Sequence, residues 1–133
     1  MYNPYQLTGK TILVTGASSG IGRATAIECS KLGAKLVITA RNEVRLKETL
    51  DALEGCDHQM VVADLTNSPD MENLVAAIPE LDGLVNDAGI AVMKPVPFIK
   101  RRDLEEVVNI NTFAPVLLTG AILKKKKLKR RVM

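Results

Sequence analysis

Thr15-Gly16-Ala17-Ser18-Ser19-Gly20-Ile21-Gly22 follows the apolar run Thr11-Ile12-Leu13-Val14 and precedes a helical pattern. A buried strand, a glycine turn and a helix start stand in direct succession, the order that builds a phosphate cradle. Gly16 takes the chain sharply out of the strand. Gly20 removes a Cβ where a pyrophosphate approaches the backbone, and Gly22 lets the helix lie close to the strand. Ser18 and Ser19 offer hydroxyls. The helix that opens around Ile21 adds free N–H groups and the positive end of its dipole. The stretch predicts a dinucleotide site.

Outward from this loop, strand and helix alternate. Residues 11–15 read as a buried strand and 20–32 as a helix closed by Gly33. Leu36-Val37-Ile38 marks a second strand over 35–40. Asn42 caps a helix over 43–54, carried by Leu46, Leu50 and Leu53 and stopped by Gly55. Met60-Val61-Val62 marks a third strand over 59–63. Ser68-Pro69-Asp70 reads as N-cap, first-turn proline and early acid of a helix reaching Ile78. Leu84-Val85 makes a short fourth strand, residues 87–102 a loop, and Asp103 opens a long helix that runs into the lysines. Short connections between such units imply an α/β fold. The expected form is a Rossmann-type, doubly wound parallel sheet of about four strands in the order 3-2-1-4, with helices on both faces. Residues 1–133 read as one dinucleotide-binding domain, or as part of one.

The composition, 47% hydrophobic and 25% charged, is that of an ordinary globular domain. No run of about 18 apolar residues stands out, which argues against a membrane span. Met1-Tyr2-Asn3-Pro4-Tyr5 lacks the apolar core of a signal peptide. Cys29 and Cys56 have no metal-ligand spacing and read as free thiols of a cytoplasmic protein; no metal set is expected. His58, the single histidine, reads as a residue at a strand start. The net charge of +3 hides an asymmetry. Seven of the 18 basic residues lie in 124–133, leaving 11 basic against 15 acidic groups before them, a balance of −4. No aromatic residue interleaves with these lysines, so the basic tail reads as a solvated helix end before a nucleic-acid contact.

The motifs together resemble the short-chain dehydrogenases/reductases, and within them the oxoacyl-carrier-protein reductase type. The glycine loop has the spacing TGxxxGxG. Asp64-Leu65 follows the third strand like the family's acidic contact to the adenine amine. Asn86-Asp87-Ala88-Gly89 follows the fourth strand like its Asn-Asn-Ala-Gly motif, and Asn111 falls where the family places its tetrad asparagine. The resemblance spans residues 7–127. It implies NAD(P)-dependent hydride transfer at a carbonyl or alcohol, with Asn86, Ala88 and Gly89 at the cofactor and a helical homodimer interface. Arg41 lies 19 residues after Gly22, just past the second strand. A carboxylate there binds a ribose 2′-hydroxyl, whereas an arginine meets a 2′-phosphate. Ala40-Arg41-Asn42 therefore favours NADP(H) over NAD(H), unless Arg41 is only a solvated loop charge. Pro115, four residues beyond Asn111, deprives the Asn111 carbonyl of its helical donor. That carbonyl either holds a water of the family's proton relay or is simply solvated at a kink.

Two departures matter. Asp87 replaces the family's second asparagine, so a group that donates and accepts becomes one that only accepts. It is protonated, finds a donor, or weakens the site. The family's Ser and Tyr-x-x-x-Lys are also absent: the only tyrosines, Tyr2 and Tyr5, precede the first strand. Arg131-Val132-Met133 reads as the possible beginning of the next strand. Three functions stay open: the cofactor half of an NADP(H) oxidoreductase lacking the catalytic half, a noncatalytic nucleotide-binding module, and an anionic-surface or nucleic-acid binder acting through the tail. The long helix is apolar on more than one side. Leu104, Val107, Val108, Leu118 and Ile122 are expected to face the sheet. Self-association through 103–123 or an open fourth-strand edge is expected as well.

Overall fold

The computed structural model describes residues 2–130. Four parallel strands, β1 (Thr11–Thr15), β2 (Lys35–Ala40), β3 (Gln59–Val62) and β4 (Gly83–Val85), pair in the order β3-β2-β1-β4. The sequence-based order is therefore observed. Leu13 stands beside Val37 and Leu84, and Val14 beside Ile38 and Val85. The two central strands are buried on both faces, as their continuous apolar runs require.

Side chains alternate across the pleat and feed two cores. Ile12, Val14, Leu36 and Ile38 pack with Ala26 of α1 (Gly20–Lys31) and Leu46 of α2 (Glu43–Ala52). Leu13 and Val37 pack on the other face with Leu74, Val75 and Ile78, from α3 (Ser68–Ala77) and its end. The same core takes Ile110, Ala114, Leu118 and Ile122 from the long helix. Helix α1 closes as expected at Gly33: Gly33 N–H donates to Ser30 O and Ala34 N–H to Cys29 O. His58 is more tightly held than a strand-start residue needs to be. Its Nδ1 accepts from Leu36 N–H at 3.0 Å, which leaves Nε2 to donate to the Glu54 carbonyl.

Three boundaries differ from expectation. The N-cap of α3 is Asn67, one residue earlier than Ser68, because its Oδ1 accepts from Asp70 N–H at 3.1 Å. Residues 87–102 contain a 3₁₀ turn, Val96–Phe98. The long helix begins at Arg101, not Asp103, because Asp103 reaches back to accept the Lys100 N–H at 2.9 Å.

That helix has three parts: α4 (Arg101–Val108), a π-helical turn (Asn109–Phe113) and α5 (Ala114–Lys124). Within the turn, Ala114 N–H donates to the Asn109 carbonyl five residues back. Pro115 has no N–H to continue the four-residue ladder, and the wider turn accommodates it. The turn also shifts the helical phase. Leu104 and Val108, expected on the sheet, are 57% and 41% exposed, while Ile110 is buried. By length and composition Arg101–Lys124 also qualifies as a membrane-spanning helix, against the sequence reading. Here its buried stripe is the one that covers the sheet.

The basic tail is not simply solvated. Lys127–Lys129 runs parallel to the chain at Leu81: Leu81 N–H donates to Lys127 O at 2.6 Å and Lys129 N–H to Leu81 O at 2.8 Å. Lys127 Nζ donates to the carbonyls of Val75, Ala76 and Ile78 at the end of α3. Lys129 Nζ approaches Asp82 at 3.3 Å. The fourth-strand edge, expected open, is therefore flanked at its start. Residues 131–133, read as the start of a further strand, lie outside the described residues.

Candidate functional site

At the C-terminal ends of β1 and β2 the chain opens into a cleft of about 940 Å³. Parallel α/β sheets bind ligands there, where successive crossovers diverge to opposite faces. Gly16, Ser18, Ser19, Gly20 and Ile21 form one wall. Arg41 and Leu65 line the side above β2 and β3, and Ala88, Gly89 and Asn111 the side beyond β4.

The glycine loop is shaped by contacts. Gly16 has φ +64°, and a Cβ there would lie 2.8 Å from Ala88 N and Cα. A Cβ on Gly22 would overlap the Gly16 carbonyl, so α1 lies against the turn as expected for close packing. Gly22 thus shapes the loop from behind rather than lining the cleft. At Gly20 no protein atom would meet an added Cβ within 4 Å, which leaves the backbone open to a ligand. The Ser19 side chain makes no capping bond in α1, and no acid stands in that helix's first turn. Free N–H groups, an uncommitted hydroxyl and the helix dipole face one place, an arrangement suited to an anion.

Thr15 joins this wall to the loop after β4. Its Oγ1 accepts from Asp87 N–H and Ala88 N–H, both at 3.0 Å, and its hydroxyl faces Val85 O at 3.5 Å. No role was read for Thr15 from sequence, although its place ahead of the glycines was the available signal. The Asp87 carboxylate, a departure from the resembled motif, turns toward the first turn of α1. Its Oδ2 would be 2.7 Å from a Gly22 Cβ. No side-chain donor meets it among the described residues.

Asp64 stands beside the cleft rather than in its lining. Its Oδ1 accepts from Thr66 Oγ1 at 2.7 Å and Thr66 N–H at 2.9 Å. These bonds, the Thr66 hydroxyl first, together with the Arg41 charge, hold its carboxyl below the usual range despite partial burial. Asn86 also points elsewhere, its Nδ2 donating to Thr119 Oγ1 on α5 at 3.3 Å. Asn111 is brought in by the π-helical turn, and its amide clasps the Ile90 backbone. Among the residues the structure adds to the lining are Thr39, Asn42, Arg45, Asp87 and Ile110. Arg45 was read only as a helix residue, and Thr39 only as strand. No cluster of three potential metal ligands forms among the described residues.

The model of the short chain dehydrogenase family matches residues 10–131. The chain belongs to that family. It is 40% identical over 124 residues to 3-oxoacyl-[acyl-carrier-protein] reductase FabG of Rickettsia prowazekii, covering 93% of this chain and 51% of that protein. It is 35% identical to glucose 1-dehydrogenase of Gluconobacter oxydans, covering 91% and 49%. Among solved structures, the closed form of serine dehydrogenase complexed with NADP+ superposes with a TM-score of 0.78 at 32% identity, covering 86% and 48%. This short-chain dehydrogenase domain therefore spans about half the length of these relatives. The four-stranded Rossmann-like architecture and the dinucleotide-binding character are those of the family.

Proposed function

We propose that the chain is the NADP(H)-binding half of a short-chain dehydrogenase acting on a carbonyl or alcohol. The observation that carries this reading is the single cleft joining the glycine loop to Arg41. A bound nicotinamide would supply a hydride donor or acceptor. The loop N–H groups, Ser18 and Ser19 hold the pyrophosphate, with Gly20 giving it room. Arg41 meets the 2′-phosphate, while Asp64 and Leu65 border the adenine. Ala88 and Gly89 floor the nicotinamide side, and Asn86 supports them through Thr119. Asn111 acts as a positioning residue on the loop at Ile90.

Calorimetric titration of NADPH and NADH tests the assignment. Arg41→Ala should weaken NADPH and spare NADH. Equal loss of both would overturn the 2′-phosphate role.

The 133-residue chain should not reduce ketones appreciably. Tyr2 and Tyr5 precede β1, whose far end carries the cleft, and are 88% and 76% exposed. General acid–base catalysis typically contributes about 10²–10⁴-fold. Ready NADPH oxidation with a ketone would contradict this. A second reading, a noncatalytic nucleotide-binding module, draws on the same lack of a tyrosine–lysine pair. The tail-binding reading is weakened because Lys127 and Lys129 are engaged within the fold.

Self-association belongs to the same proposal. Leu104, Phe113, Val116, Leu117 and Leu123 are each more than half exposed along the long helix. A homo-oligomer through 103–123 would bury them, whereas the flanked β4 edge is the weaker candidate. Light scattering at micromolar concentration decides, and a clean monomer would refute it. Exposed Cys56, a free thiol, accords with a reducing cytoplasmic setting.

A further inference from the structure

We propose that Arg45 is a second specificity-determining residue of the cleft, its guanidinium sharing the cofactor 2′-phosphate with Arg41. The inference rests on the NADP(H) reading and extends it to a residue outside the glycine loop and the turn after β2.

Both arginines line the same cleft. Arg41 precedes α2, and Arg45 is the third residue of that helix. The Arg45 backbone is anchored, since Asn42 Oδ1 accepts its N–H at 3.0 Å. The side chain is uncommitted: no carboxylate lies within 4.0 Å of it among the described residues, and Glu48 on the next turn faces Arg23 at 3.9 Å. Arg41 likewise has no carboxylate within 4.0 Å among the described residues, and only a longer-range attraction links it to Asp64. A phosphate monoester carries about −1.5 to −2 at neutral pH. One guanidinium does not balance that charge, and two together do. Guanidinium groups also offer the forked donors that phosphate oxygens accept.

The full chain, wild type and with Arg41→Gln, Arg45→Gln or both, is titrated with NADPH, NADH and adenosine 2′,5′-bisphosphate at two salt concentrations. Arg45→Gln should weaken NADPH and the bisphosphate by about tenfold, the scale of one charge-assisted contact. It should change NADH by less than about twofold on the same scale, and should reduce the salt dependence of NADPH binding. An unchanged melting temperature confirms folding, because Arg45 is exposed and only its backbone is capped. Equal loss of NADPH and NADH, or loss of neither, with Arg41→Gln still selective, overturns the role of Arg45 and leaves the NADP(H) reading intact. A wild-type chain that binds NADH as tightly as NADPH, or binds neither, overturns the NADP(H) reading and this inference with it.

Discussion

The side-chain amide of Asn111 clasps the backbone of Ile90 from both sides. Nδ2 donates to the Ile90 carbonyl and Oδ1 accepts the Ile90 N–H, each at 2.8 Å. Asn111 lies in the π-helical turn, and Ile90 follows the Ala88-Gly89 floor of the cleft. The pair therefore ties the long helix to the loop a cofactor would touch.

Replacing Asn111 with Ala should release both Ile90 groups. The site is partly wet, so the stability loss should be about 1 kcal/mol, at the lower end for unmade hydrogen bonds. Asn111→Asp keeps the acceptor but loses the donor and should fall between. Hydrogen exchange at the Ile90 amide reports the effect directly; unchanged protection in Asn111→Ala would refute the clasp.

Gly22 and Gly20 should fail differently. A Cβ on Gly22 overlaps the Gly16 carbonyl and crowds Asp87, so Gly22→Ala should destabilise the fold by about 1–3 kcal/mol. Gly20 has φ +57° and open space, so Gly20→Ala should cost only about 1–2 kcal/mol of backbone strain. Its larger effect should be on ligands, weakening NADPH and NADH alike. Thermal melts paired with titrations separate the two.

Lys127 should matter where Lys125 does not. Its ammonium meets the Val75, Ala76 and Ile78 carbonyls at the negative end of α3. Lys127→Met should cost about 1–2 kcal/mol, discounted for partial exposure, and should expose the tail to protease. Lys125→Met, at an exposed position, should change neither. Equal behaviour of the two variants would show that the tail is undocked in solution.

Stability should decline in acid. Asp82 is held below the ordinary 3.8 by the Thr11 N–H first and Lys129 next. Asp103 is held below it by the Lys100 N–H and Lys94. A carboxyl with a lowered folded value binds fewer protons folded than unfolded. Its stabilisation is complete above the unfolded value and drains as pH falls through the folded one. Denaturant midpoints should be level from neutrality to about pH 5 and fall below about pH 4. Asp82→Asn should flatten that fall, and an unchanged profile would show that Asp82 is not a contributor.

The glycine loop and the alternation of strand and helix were legible in the residues because each depends on local signals, and the strand order followed from the handedness rule for crossovers. Gly16, Gly20 and Gly22 stand at one turn, and the apolar runs of β1 and β2 announce burial on both faces. Asn42 and Gly33 mark helix ends within a few residues of themselves. The same locality brought Arg41 and the Ala88-Gly89 pair to notice by their distance from a strand end.

Contacts across the chain decided the remainder. Pro115 signalled an interrupted helix, yet which side faced the sheet depended on the phase shift of the π-helical turn. Ile110 moved inward, and Leu104 and Val108 moved out. The lysines at 124–129 look alike in sequence, but only Lys127 meets the open carbonyls of α3, some 50 residues earlier. Arg45 lines the cleft with Arg41 because α2 starts directly after the turn that ends β2, a placement that no local signal marks. Amphipathic pattern and turn chemistry act over a few residues. Side-chain direction and charge pairing are set by whichever distant segments the packed fold brings together.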